Sequence, residues 1–460
     1  MTVINQANLR PIFCTRDKLM TTIVGRHRAK IGAMQAPSDE TVAYAKGLNA
    51  HLLGPGSLAE GEWAALGLPA PHLGTIRRYR LERIRQLLRR FDYAGIVVYD
   101  PINIRYATDS TNMQVWILHN ANRYAYIPTE GPVILFDYHG AEHLSDHLEL
   151  ISEIRTARAW YYLIAGDRYE EQARLWAAEI GDLVRQHGSG NRRLALDKCN
   201  PEGLRALQNE GLTVHNGEEI MELARAIKHP EEIVAMRRAI AACEKAIAAM
   251  RDHFVPGVTE QRLWSYLHAE NIARGGEWIE TRLLTAGPRT NPWFQECSSR
   301  PIQNGELMAF DTDLIGPYGI CVDISRTWLC GNVAPTAEQR EIYGLAYDQI
   351  GRNTAILRPG MSFRELTETA VLPDPTRYNR YSLFYHGVGL ADEYPSIYFP
   401  DAWANYGYNG IVEPGMVLCV ESYVGRKNGR EGVKLEEQVL ITETGYEVLS
   451  TYPFEEPLLG

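Results

Sequence analysis

The chain has 460 residues, 45% hydrophobic and 23% charged, with a formal net charge of −10. This is a globular composition with length for more than one domain, and its acidic balance argues against nucleic acid as a partner. No run is apolar and long enough to span a membrane, the opening Met1-Thr-Val-Ile-Asn lacks the pattern of a secretory leader, and the seven cysteines form no Cys-x-x-Cys pair, so reduced thiols and a cytoplasmic location are expected.

Residues 1 to about 70 read as an extended arm, interrupted by turns such as Leu53-Gly-Pro-Gly-Ser57. Leu81, Ile84, Leu87 and Leu88 then mark one helix face, Ala94 to Tyr99 is a buried-strand run, and Asp100-Pro101 reads as a turn. Tyr124 to Pro128 and Pro132 to Asp137 read as strands, 168 to 185 as a helix and 193 to 197 as a strand. Such alternation predicts an α/β domain ending near residue 225. Pro230 followed by Glu231 and Glu232 starts a helix that carries Ile233, Met236, Ile240, Cys243, Ile247 and Met250. Thr259 caps the next helix. A further helix is expected over about 336 to 357, with Thr336 and Gln339 as a capping box.

The last third carries the chemistry. Asp311-Thr-Asp313, Asp323, His386, Glu421 and Glu436 each lie in or beside apolar, strand-like runs. A buried carboxylate is expensive unless paired or bound to metal. Five carboxylates with one imidazole suit a pair of divalent cations better than a set of ion pairs.

Seven phrases in order give the resemblance: Lys228-His-Pro-Glu-Glu-Ile-Val, Gly287-Pro288, Gly305-Glu-Leu-Met-Ala-Phe-Asp, Asp323-Ile-Ser-Arg-Thr, His386-Gly-Val-Gly-Leu, Pro414-Gly-Met-Val-Leu-Cys-Val-Glu421 and Gly432-Val-Lys-Leu-Glu436. They resemble the methionine aminopeptidase, prolidase and creatinase superfamily, the pita-bread fold, and residues 83 to 111 resemble its creatinase-like N-terminal domain. The resemblance implies an α/β N-terminal domain with its arm (1–225) and an α+β pita-bread metal-binding domain (226–460). It implies metal ligation by Asp311, Asp323, His386, Glu421 and Glu436, and a homodimer whose partner closes the site, with Trp160 or Trp176 as contributors.

The departures from the peptidases point to another reaction. Asp311-Thr-Asp313 replaces the usual Asp-x-Gly, which adds Asp313 as a sixth ligand or, alternatively, a turn cap. Trp293 stands where a histidine is usual, and Asp392-Glu393 follows His-Gly-Val-Gly-Leu where the peptidases place a second histidine. The five carboxylates outweigh two divalent cations before Asp392 and Glu393 are counted, which favours a positively charged substrate. Nearby aromatic residues (Trp293, Tyr381, Tyr385, Tyr394) suit an onium group. These features resemble the dimethylsulfoniopropionate lyases of the superfamily. That resemblance implies β-elimination of a sulfonium zwitterion to dimethyl sulfide and acrylate, with Asp392 as general base, Tyr381 and Trp293 as substrate contacts, and two divalent ions, iron favoured and zinc, manganese or cobalt allowed. The competing readings are an X-Pro metallo-dipeptidase, a creatinase-like hydrolase that needs no metal, and a binding module without activity.

Overall fold

The computed structural model describes residues 54 to 460. The part of the expected arm that falls within them is helical in α1 (Ser57–Ala65), whose buried Trp63 donates its indole N–H to the Arg238 carbonyl at 2.9 Å; the rest of the arm lies outside the described residues. In α2 (Leu73–Arg90), Ile76, Leu81, Ile84, Leu87 and Leu88 share the buried face, at the spacing of an amphipathic helix. After β1 (Gly95–Val98) the Asp100-Pro101 pair, read as a turn, starts a helix instead. Asp100 accepts a hydrogen bond from the Ile102 N–H at 2.8 Å, and Pro101 begins α3 (Pro101–Thr108), where an N–H would have no helical partner.

β2 (Tyr124–Pro128), β3 (Val133–Asp137) and β4 (Ile151–Thr156) follow, then α4 (Tyr169–His187), β5 (Arg193–Leu196), α5 (Pro201–Asn209), β6 (Thr213–Asn216) and α6 (Glu218–Ala226). Their six strands form one mixed sheet in the order β4-β3-β2-β1-β5-β6. Trp160 and Trp176 are 5% and 0% exposed in the core beside this sheet. Both rings are thus engaged within their own chain, where Trp160 lies against Trp176 with ring centroids 5.0 Å apart.

The next two helices start where expected. His229 accepts from the Glu231 N–H at the head of α7 (Pro230–Asp252), and Thr259 accepts from the Arg262 N–H at the head of α8 (Glu260–Ala273). The strand-rich part begins with β7 (Leu284–Ala286), β8 (Leu307–Asp311), β9 (Leu314–Ile315), β10 (Cys321–Val322) and β11 (Ser325–Leu329). The inserted helix α9 (Ala337–Ala355) has the Thr336–Gln339 capping box, and α10 (Phe363–Thr369) is the shorter helix after it. β12 (Tyr378–Asn379), β13 (Leu383–Val388), β14 (Asp392–Tyr398), β15 (Val417–Arg426), β16 (Gly432–Ile441) and β17 (Tyr446–Val448) complete the chain of strands.

Two sheets carry the site: β11-β8-β7, and β14-β13-β15-β16-β17 with β12 on β15. One hydrophobic core joins Ile84 and Leu88 of α2 to Ile240 and Ile247 of α7, Phe310 of β8 and Val417 of β15. The junction near residue 225 is therefore crossed by packed apolar side chains. Buried area of this kind stabilises at roughly 25 cal/mol per Å², so the α/β half and the strand-rich half hold each other in place.

Candidate functional site

Strand pairing brings the sequence-distant acids together. Asp311 ends β8, Asp323 lies between β10 and β11, His386 is in β13, and Glu421 and Glu436 face each other directly across the β15–β16 ladder. Like charges directly opposite on a sheet repel, so this pair needs positive charge between them. All five are buried, none more than 7% exposed. His386 Nε2 lies 3.2 Å from Glu421 Oε1, 3.5 Å from Glu436 Oε1 and 3.6 Å from Asp323 Oδ2.

Asp313 joins this group. It adopts a left-handed φ of 35°, and Thr281 donates its hydroxyl to Asp313 Oδ2 at 3.0 Å. Asp313, Asp323 and Asp392 each present an oxygen within 4.8 Å of the others, as do Asp323, His386, Cys419 and Glu436 with their own donor atoms. Asp323 belongs to both groups, which places it between them. The Cys419 thiol is held well above its ordinary pKa, by burial first and then by the acids around it. It stays protonated and is a poor metal ligand in that form.

Lys434 is the residue that sequence reasoning missed. Its fully buried ammonium lies 3.0 Å from Asp311 Oδ2, 2.7 Å from Glu421 Oε2 and 2.8 Å from Glu436 Oε2. It also donates to Ser325 Oγ at 2.7 Å. Lys434 stands two residues before Glu436 in β16, so the two-residue period puts both on one face. That alternation was the available signal; a lysine in a motif is more readily read as a surface residue.

The electrostatics follow from burial and crowding. Burial, then the neighbouring acids, push Asp311 and Glu421 up to about 7, with Lys434 pulling the other way. Asp313 and Asp323 are raised further for the same two reasons. Glu436 is held well below the carboxylate range, because Lys434 and His386 outweigh its burial. Burial also opposes charge on His386, but Asp392 and the bonds to Glu421 and Glu436 win and hold the imidazole well above its usual value. Asp323 Oδ1 is buried with no hydrogen-bond donor. A stranded oxygen amid carboxylates and an imidazole fits a site for divalent cations.

A pocket of about 420 Å³ opens over the cradle, lined by Glu222, Tyr381, His386, Asp392, Glu393, Tyr394 and Tyr408 among others. The Asp392 side chain is 54% exposed and lies 3.7 Å from His386 Nδ1. Glu393 behaves differently. Its side chain is 0% exposed and is bonded by Arg225 at 3.0 Å and Lys228 at 2.5 Å. Glu393 therefore adds no free charge to the pocket. With Lys434 also present, the site is less negative than the count of acids implied.

The two aromatic contacts separate. Tyr381 reaches the pocket, with Lys434 Nζ 4.6 Å from its ring centroid and Phe294 stacked on it at 5.3 Å. Trp293 is 5% exposed, stacked on Tyr423 at 6.0 Å, and lines a neighbouring pocket with Pro292, Phe294 and Arg380. It does not line the pocket that holds His386 and Asp392.

Comparison with known proteins accounts for both halves. Residues 234–443 match the model of metallopeptidase family M24, and residues 80–227 match the creatinase/prolidase N-terminal domain. The chain is 48% identical over 415 residues to the dimethylsulfoniopropionate lyase DddP of Roseovarius nubinhibens, covering 89% of this chain and 93% of that protein. It is 45% identical over 416 residues to the DddP of Roseobacter denitrificans, with the same coverage of 89% and 93%. In structure it is similar to the Xaa-Pro dipeptidase from Bacillus anthracis, with a TM-score of 0.66, 21% identity, and coverage of 82% of this chain and 98% of that one. That likeness shows the pita-bread fold, and the family matches identify its creatinase-like N-terminal domain and the domain that follows.

Proposed function

This chain belongs to the M24 metallopeptidase family with a creatinase-type N-terminal domain, and we propose that it is a carbon–sulfur lyase that cleaves dimethylsulfoniopropionate to dimethyl sulfide and acrylate. The observation that carries the reading is Asp392, a half-exposed carboxylate beside His386 at the mouth of a buried acidic cradle. Among the described residues, His386 is the only histidine lining that pocket. A second histidine, which the peptidase reading needs, is not there.

Asp311, Asp313, Asp323, His386, Glu421 and Glu436 would hold a pair of divalent ions; Asp323, His386 and Glu436 bring donor atoms together in one grouping, and Asp313 and Asp323 do so with Asp392 in another. Iron is favoured by the resemblance, and the donor set also accepts zinc, manganese or cobalt. Such ions supply Lewis acidity that draws in the substrate carboxylate and acidifies the hydrogen on the adjacent carbon. The chain's own residues do the rest. Lys434 holds the second oxygens of Asp311, Glu421 and Glu436 and so fixes their orientation. The Tyr381 hydroxyl is the free handle of a ring already engaged by Lys434 and Phe294, and it orients the substrate. Asp392 takes the α-proton. The C–H electron pair becomes the new C–C double bond, and the C–S pair leaves with sulfur as neutral dimethyl sulfide. Loss of charge frees that product from an acidic pocket.

The protein is also inferred to act as a cytoplasmic homodimer. The six cysteines among the described residues are free thiols, and no described helix is long and apolar enough to cross a membrane. Tyr162, Leu163 and Ile164 are 71%, 71% and 59% exposed, an apolar face that a second copy would cover.

The test is headspace dimethyl sulfide from purified protein given dimethylsulfoniopropionate, beside an Ala-Pro assay. Dimethyl sulfide without proline release is expected. Proline release without dimethyl sulfide would make the protein an unusual dipeptidase.

A further inference from the structure

The elimination needs a place for the cationic end of the substrate, and the two aromatic residues expected to contact it, Trp293 and Tyr381, are otherwise engaged. Trp293 packs in a neighbouring pocket, and Tyr381 already meets an ammonium ion 4.6 Å from its centroid. A ring polarised by one cation is a poor partner for a second. Two other aromatic residues line the pocket with Asp392: Tyr394 and Tyr408. Their rings stack with centroids 5.7 Å apart at 23°. Phe363, 1% exposed, meets each of them at 5.8 and 5.9 Å with its ring steeply inclined, and so buttresses the pair from the core. The backbone holds both in place: Ser396 N–H donates to Tyr408 Oη at 2.5 Å, and Tyr394 N–H donates to Glu222 Oε2 at 2.8 Å.

Register supplies the distance. Asp392 and Tyr394 lie two residues apart on β14, on its less buried face, a repeat of about 6.6 Å. In the substrate the sulfur is two bonds from the carbon that loses its proton. With an Asp392 oxygen at that proton, the sulfonium stays close to the Asp392 carboxylate, on the side of β14 that Tyr394 shares.

We propose that Tyr394 and Tyr408 form an onium subsite that receives the sulfonium methyl groups and selects a cationic tail over a neutral one of the same shape. This rests on the lyase reading for the choice of substrate, but it is tested by binding alone. The probes are 3-(trimethylammonio)propionate, a non-eliminating cationic isostere, and 4,4-dimethylpentanoate, its neutral counterpart, each titrated calorimetrically into full-length protein as purified. Wild type is expected to bind the cation about tenfold more tightly than the neutral acid. Tyr394→Leu and Tyr408→Leu should each cut that ratio about three- to tenfold, while Tyr394→Phe and Tyr408→Phe, which keep the ring, hold it within about twofold. Equal binding of both acids by wild type overturns the subsite without recourse to any variant, as does an unchanged ratio in both folded leucine variants. If the ratio behaves as expected but no dimethyl sulfide forms from dimethylsulfoniopropionate, the subsite stands and the lyase reading falls.

Discussion

Two buried ionic clusters flank β14, and their charge balance differs. On one side, Glu222, Glu232 and Glu393 meet Arg80, Arg225 and Lys228, acid for base. On the other, Asp311, Asp313, Asp323, Glu421 and Glu436 crowd around the single Lys434, with His386 among them. A balanced cluster is complete in itself and ties α2, α6 and α7 to β14. An unbalanced one of equal burial is stable only with added positive charge. On the proposed reading, the neighbouring acids Asp392 and Glu393 on one strand would divide between chemistry and structure according to which cluster each faces.

The largest expected effect separates those two neighbours. Asp392→Ala should lower lyase turnover by about 10³-fold or more with thermal stability near wild type. A proportionate fall in stability would assign Asp392 to structure. Glu393→Gln should do the reverse. It leaves Lys228 buried without its carboxylate and Arg225 with the Glu222 carboxylate alone, at a cost of about 3–5 kcal/mol in denaturant unfolding. A near-neutral result would mean that the balanced cluster contributes nothing as a unit.

The acid-rich cluster should respond in the opposite sense. Asp323→Asn replaces a carboxyl that burial and its acidic neighbours hold protonated at a cost to folding near neutral pH, so metal-free protein should gain on the order of 2 kcal/mol of stability while its metal content falls. Loss of stability in the metal-free state would show that the carboxylates are already compensated. Metal retention should also decline as pH falls through about 7, where burial and mutual repulsion place Asp311 and Glu421, because protons then compete for the same oxygens. Metal analysis after dialysis across that range reads this directly.

His268 sharpens the contrast from a third position, buried with neither ring nitrogen partnered. Burial lowers its pKa to about 4. The unfolded chain then binds the extra proton between about 4 and 6.5, so the contribution is whole above 6.5 and is lost as pH falls. Between pH 6.5 and 5 this amounts to about 2 kcal/mol. His268→Gln should flatten that slope in metal-loaded protein; an identical slope would point to other groups.

Much of this was legible in the sequence, for identifiable reasons. Pro230 with its two following acids marked the start of α7, and capping residues marked those of α8 and α9, since such signals work through their immediate neighbours. The acids and His386 stood out because charge in an apolar strand demands an explanation. Asp100-Pro101 misled because the same pair begins a turn or a helix, and only the apolar pattern beyond it decides. Glu393 was grouped with Asp392 by adjacency, whereas strand alternation puts them on opposite faces. Trp160, Trp176 and Trp293 depend on which elements pack over them, a long-range property that their local sequence does not carry. Lys434 escaped because its partners lie on three other strands or two residues along its own.

The central claim is that one acid-rich cluster binds cations while an acid outside it performs the elimination. Its most direct test is metal analysis of Asp392→Ala beside its dimethyl sulfide release. The account predicts a metal content equal to that of wild type, about two ions per chain, with no dimethyl sulfide formed. Loss of metal together with activity would place Asp392 among the ligands and contradict the division between cradle and base.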